Sequence, residues 1–319
     1  MKRKSKTIQI FLTCGLFLAI TLAGMLGTAA AQAPRIHVLL VWGTKAADTS
    51  ASVEAASKRI EDGLRKIGIY NGSSSVASFT VLSGDDAHPR QILDHCYRMA
   101  QQAGSNDALF VYILCHGCTD YLVGEPVHKT ENLIHLLGPV SLSAANMLED
   151  RANVIKRYSI LRAMSSRNHR LNVLITDACS RIEELQVEPL PVSMAGQPKL
   201  LYILQTERGT INWNSSCPIG GDDEQGELAI GLGKPDGTVF TTAFLNIASQ
   251  VKSSKRNYTK EDFFKELGTE LVESFNDYAD QTRGKPGYRF FMQQEKQTLT
   301  EFDDYGRVKR RWTENDRVE

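Results

Sequence analysis

The sequence predicts an α/β protein, a three-layer α/β/α sandwich around a mainly parallel central sheet. Three observations carry that expectation. Continuous apolar runs of strand length recur, in RIHVLLVWG at 35–43, ALFVYILCHG at 108–117 and LNVLITDACS at 171–180, as expected of strands buried on both faces. Segments with apolar residues three and four apart lie between them, the spacing of amphipathic helices. Strand and helix then alternate at least four times, which asks for a parallel sheet covered on both sides.

Taken in order, residues 35–43 form a central strand. At 50–67 the positions Val53, Ala56, Ile60, Leu64 and Ile67 make one helix face, stopped by Gly68. A loop at 71–75 leads to a short strand at 78–82. Pro89 opens a second helix, with Ile92, Leu93, Cys96 and Met99 on its buried face and Gly104 closing it. Cys96 reads there as packing. After the strand ending at His116, the stretch 119–146 has poor periodicity and reads as a hairpin or an insertion. A helix is expected at 152–165, then the strand ending at Asp177. Beyond it, Pro189, Pro191, Gly196 and Pro198 mark a long loop. KLLYILQ at 199–205 is expected to be the next strand, with another near Leu228. Helices are expected at 240–251 and 260–278, a closing edge strand at 287–294, and a frayed, charged tail from about Asp303.

The chain carries 37 basic and 37 acidic residues. Lys2, Arg3, Lys4 and Lys6 precede an apolar stretch at 8–27 and the small residues Ala29, Ala30 and Ala31, the three parts of an export signal. Residues 1–31 are therefore read as a signal peptide. An uncleaved anchor at 8–27 is the alternative, since about 20 apolar residues can span a bilayer. Without those four bases, 33 basic residues face 37 acidic ones, a net charge of −4, which argues against nucleic-acid binding. The remainder divides into one main domain at 32–252 and a C-terminal helical extension at 253–319.

Five cysteines follow the leader: Cys96, Cys115, Cys118, Cys179 and Cys217. An odd number in an exported chain leaves at least one thiol unpaired, and so sparse a set is no disulfide scaffold. Two apolar runs deliver chemistry at their ends, one presenting His116 and the other Cys179. In a parallel sheet all strand C-termini share one edge, where sites form. A thiol with a pKa of roughly 8.5 needs a base near neutrality, and an imidazole can take its proton and return it to a leaving amine. Gly117 leaves room for a carbonyl, and its N–H with that of Cys179 is a candidate oxyanion hole. The bland reading of Cys179 is a buried packing thiol; the pairing with a strand-end His-Gly favours a nucleophile.

The order of an apolar strand into His-Gly, a helix, and an apolar strand into Asp-Ala-Cys resembles the caspase-like peptidases, metacaspases and bacterial caspase homologues above all. GTVFTTAFL at 237–245 is similar to a further segment of that family, so the resemblance spans about 36–250. It implies a His116–Cys179 dyad, an oxyanion hole at Gly117, and cysteine endopeptidase activity. It also implies that Asp177 lines a pocket for Arg or Lys, to which a carboxylate is suited; Asp48, in the loop after the first strand, is a candidate second acidic wall, against which the nearby Lys45 argues. The plainer role for Asp177 is to cap the turn after its strand. Where the family has a small residue before His-Gly this chain has Cys115, with Cys118 just after. Cys115, His116, Cys118 and Cys179 as zinc ligands, or a Cys118–Cys217 disulfide, are alternatives; Cys115 is expected to point into the sheet. No metal or other cofactor is expected, apart from calcium as a candidate for Asp222, Asp223, Glu224 and Glu227, a run more often a solvated loop. The expected partner is a peptide or protein substrate. The alternative function is a catalytically silent caspase-like module used for binding or as a scaffold, exported or membrane-anchored.

Overall fold

The computed structural model describes residues 33–45, 50–120, 131–135, 154–179, 182–183, 196–216, 231–232, 237–252, 257–282, 297–305 and 308–312. Strand β1 (Ile36–Trp42) is buried along its whole length. It is flanked by two parallel neighbours, β2 (Val76–Ser83) and β3 (Ala108–Asp120). Between β1 and β2 runs α1 (Ser50–Lys66), with Arg65 and Lys66 favourably placed against the helix dipole in its last turn. Gly68 follows with a left-handed φ of 85°, a conformation that costs glycine nothing. Helix α2 (Pro89–Gln102) begins with proline just inside its start, and the His88 ring at the N-cap accepts from Arg90 N–H at 3.2 Å.

β3 outruns the sheet. Its last five residues pair antiparallel with β4 (Glu131–His135), so the stretch of poor periodicity contains a hairpin. β4 in turn pairs with β5 (Val154–Lys156). That strand occupies positions expected to be helical; the helix itself, α3, is shorter at Arg157–Met164. Next comes β6 (Leu171–Cys179), parallel to β3. A separate three-stranded sheet joins β7 (Ile182–Glu183), β9 (Gly231–Leu232) and β10 (Gly237–Thr238).

The strand expected at 199–205 is instead α4 (Lys199–Thr206). A run of five apolar residues, Leu200–Leu204, fits a buried strand or a buried helix equally well. Its inward residues Leu200, Ile203 and Leu204 follow the helical spacing, and the Lys199 amine is satisfied by Gln250 and Glu266 at 2.7 and 2.8 Å. The next strand is β8 (Gly209–Asn214), parallel to β6. Helix α5 (Val239–Ser249) is buried almost all round, and its N-cap Thr238 accepts from Thr241 N–H at 2.9 Å. Helix α6 (Lys260–Thr282) follows.

The tail expected to fray from Asp303 instead extends the sheet. β11 (Thr300–Phe302) pairs antiparallel with β8, and β12 (Val308–Arg311) pairs antiparallel with β11. Arg310 bridges to Glu301 at 2.7 Å, and Trp312 is buried against α6, so the charges sit on a strand whose end is anchored. The edge strand expected at 287–294, and the strand near Leu228, lie outside the described residues. At Gly268 a Cβ would come within 2.2 Å of the Trp312 ring. Gly268→Ala is therefore expected to expel the indole and cost about 1–3 kcal/mol, read by urea unfolding together with a change in tryptophan emission. A loose tail would leave both unchanged.

The sheet order is β12-β11-β8-β6-β3-β1-β2. Side chains alternate between its faces. Ile36, Val38, Leu40, Phe110, Tyr112, Val173, Ile175 and Ile211 enter a core with α1, α4, α5 and α6. Leu39, Val41, Val111, Ile113, Cys115 and Leu174 enter the opposite core with α2 and α3. This is the α/β/α sandwich the sequence predicts. Residues from Pro34 onward form one compact unit, and the C-terminal strands are part of its sheet. Among the described residues no helix is long and apolar enough to cross a membrane; residues 8–27 lie outside them.

Candidate active site

From β1 the chain steps to β2 on one side and then to β3 on the other, so the order reverses between β1 and β3. In open parallel sheets, sites form at strand C-termini near such a switch point. β3 and β6 are adjacent there and in register from Ala108 opposite Leu171 through to His116 opposite Cys179. Two residues separated by 63 positions in sequence are thus ladder partners, on strands about 4.8 Å apart. His116 continues the even-numbered series of β3 that includes Tyr112 and Leu114, and Cys179 the odd-numbered series of β6 that includes Val173 and Ile175. Both register positions therefore fall on the α5 face of the sheet.

Asp177 precedes Cys179 by two residues and is fully buried. Its Oδ2 accepts from the hydroxyls of Thr238 and Thr241, the latter at 2.9 Å. Since Thr238 is the N-cap of α5, the carboxylate ties the end of β6 to a helix N-terminus, where negative charge is favoured. Burial pushes its pKa up to about 6, against the opposing pull of Thr238, Thr241 and Ser215. Ser215 also favours the ionised form, and Asp177 Oδ1 has no hydrogen-bond partner among the described residues. So the capping role is present, while half of the carboxylate stays uncommitted. The buried Tyr112 hydroxyl is raised well above the usual phenol range by burial and then by Asp177, with Thr241 pulling the other way.

Cys115 is buried on the opposite face, in the α2 core. That separates it from the face to which the positions of His116 and Cys179 belong, and so from a shared ligand set with them. Among the described residues no cluster of three or more His, Cys, Asp or Glu could hold a metal. A side chain at Gly43 would meet Cys115 Cβ at 2.6 Å, and Gly43 N–H donates to the Leu114 carbonyl at 2.8 Å; glycine lets the end of β1 close onto the end of β3. Cys96 is a buried packing thiol, its pKa pushed up to about 12. Gly117 stands in the ladder opposite Ile134. Asp48, Cys217 and the acidic run at 222–227 lie outside the described residues.

Sequence reasoning missed a second polar assembly beneath this edge. Thr176 donates to Asn214 Oδ1 at 2.5 Å, and Asn214 donates to the Ser216 carbonyl at 2.9 Å. Arg157, at the start of α3, reaches into the same place and donates to Thr176 and Asn212. Two asparagines at inward positions of a central strand were the available signal, because buried amides demand partners.

No family model matches the chain, and no curated protein matches it. Among solved structures it is similar to protein GSU0716 from Geobacter sulfurreducens, with 12% identity and a TM-score of 0.45, over 86% of this chain and 97% of that one. It is also similar to pro-sf-caspase-1, with 11% identity and a TM-score of 0.43, over 86% of this chain and 89% of that one. At such scores neither likeness carries an argument about chemistry.

Proposed function

We propose that the chain is an exported, caspase-like cysteine endopeptidase with Cys179 as nucleophile and His116 as its base and acid. The observation that supports it is the ladder register of β3 and β6, in which His116 and Cys179 are partners at the C-terminal edge. In this reading the imidazole accepts the thiol proton as sulfur attacks the scissile carbonyl. The C–N bond then breaks, and the imidazolium gives its proton to the leaving amine. Water, deprotonated by the same imidazole, hydrolyses the thioester and restores the thiol. The N–H groups of Gly117 and Cys179 would hold the oxyanion, each donor worth about 10²- to 10³-fold.

The uncommitted oxygen of Asp177 favours substrates with Arg or Lys before the cleaved bond, with Asp48 as the second acidic wall. A buried carboxylate at pH 7 is a better partner for a guanidinium than for any neutral side chain. The test is hydrolysis of three peptides that differ only in carrying Arg, Lys or Asp before the bond. Cleavage of the Arg and Lys peptides, blocked by prior alkylation of the chain, is expected. No thiol-dependent cleavage of any of the three overturns the peptidase reading, and preference for the Asp peptide overturns the pocket.

A further inference from the structure

Arg157 brings a guanidinium into the protein where the proposed chemistry has made no use of it. The residue is 1% exposed. Its Nε donates to Asn212 Oδ1, one terminal nitrogen to Thr176 Oγ1, and the other to the carbonyls of Trp213 and, at 3.4 Å, Leu174. The Phe302 ring lies 4.8 Å from the guanidinium carbon. Every one of these partners is neutral, and no carboxylate pairs with Arg157 among the described residues. Burial alone pulls its pKa down, to about 9, so the cation persists near neutrality.

A buried cation ordinarily has a counter-ion, because its lost hydration must be replaced. Here hydrogen bonds fix the group and leave its charge bare, so it projects a positive field into a medium that screens poorly. Thr176 precedes Cys179 by three residues, which puts the two backbone positions about 10 Å apart along β6 and on opposite faces of the sheet, so the cation acts on the Cys179 position through one strand's thickness. The other charged and titratable groups near this corner include Asp177 on β6, Tyr112 and His116 on β3, Lys156 and Tyr158 beside Arg157, Asp303, whose Oδ1 accepts from Tyr305 N–H, and Glu301 on β11, itself paired with Lys309 and Arg310. β8 contributes only the neutral Asn212 and Asn214, and Asn212 donates to the Asp303 carbonyl at 3.1 Å. Ionised Asp177, two residues from Cys179, opposes a thiolate. A bare cation beneath the same strand offsets it.

We propose that Arg157 is a positioning residue whose unpaired charge, clamped under the ends of β6 and β8, favours the thiolate of Cys179. The inference rests on Cys179 being the nucleophile. Its test is the pH dependence of Cys179 alkylation by iodoacetamide in the full chain, read by mass spectrometry on the peptide that contains Cys179. Asn212→Asp is nearly isosteric and gives the guanidinium a carboxylate partner. It is expected to raise the alkylation midpoint by about one pH unit, the effect of a unit charge roughly 12 Å away at an effective dielectric of about 20. Arg157→Gln removes the charge while retaining hydrogen-bonding groups, and is expected to shift the midpoint in the same direction. A rise in Arg157→Gln alone assigns a merely structural role and overturns the proposal, as does an unmoved midpoint in Asn212→Asp; that variant decides the matter if Arg157→Gln does not fold. Alkylation needs no substrate. A shifted midpoint in a chain that cleaves no peptide removes the peptidase and leaves the role of Arg157; an unshifted one in an active peptidase does the reverse.

Discussion

On the peptidase reading, Cys179→Ala is expected to reduce peptide hydrolysis to background, with kcat/KM down by at least about 10³-fold, because its thiol forms the acyl intermediate. His116→Ala is expected to cost about 10²- to 10⁴-fold, the usual contribution of a positioned acid–base group. The double variant should be no worse than Cys179→Ala alone, since a base with no nucleophile to serve has nothing to contribute. The measurement is kcat/KM on the best of the Arg and Lys peptides, with unfolding curves to confirm that the three variants remain folded. Losses that simply multiply would mean that the two residues act independently, contrary to their ladder pairing.

The parts of this arrangement that were readable from sequence share a physical property. β1, β3 and β6 are buried on both faces, so their residues form unbroken apolar runs whose ends stand out. The abrupt change to His116 and to Cys179 at those ends was therefore visible, and the parallel topology brought them to one edge. Where the interior is polar, the pattern is hidden. β8 carries Asn212 and Asn214 at buried positions, held by Arg157 and by Ser216, and so it does not read as a central strand. Arg157 itself opens a helix, where a charged residue is usually solvated. Its hydrogen-bond partners lie 17 to 56 residues along the chain, beyond any local pattern. KLLYILQ failed for a different reason: five consecutive apolar residues satisfy either period, and packing against α5 and α6 chose the helix.

Asp177→Asn is expected to be more stable than the parent above about pH 6 and to lose that advantage below about pH 4. Burial raises the Asp177 pKa from 3.8 to about 6 although two threonine hydroxyls donate to the ionised form. The folded chain therefore holds this proton more tightly than the unfolded chain. Between those two pH values the folded state binds more protons, so the group's contribution to stability falls as pH rises and is least once pH exceeds the folded pKa. Two pH units correspond to a burden on the order of 3 kcal/mol at neutrality. Asparagine retains an acceptor for Thr238 and Thr241 and carries no charge, which removes the burden. Urea unfolding of parent and variant at pH 4, 5, 6 and 7 measures it directly. On the peptidase reading the same variant loses its preference for Arg and Lys before the cleaved bond, so stability rises as selectivity falls, the exchange expected of a charge retained for function. If Asp177→Asn is instead less stable at pH 7, the hydrogen bonds to α5 outweigh desolvation. Asp177 is then a cap for that helix, and the selectivity of the site has to come from elsewhere.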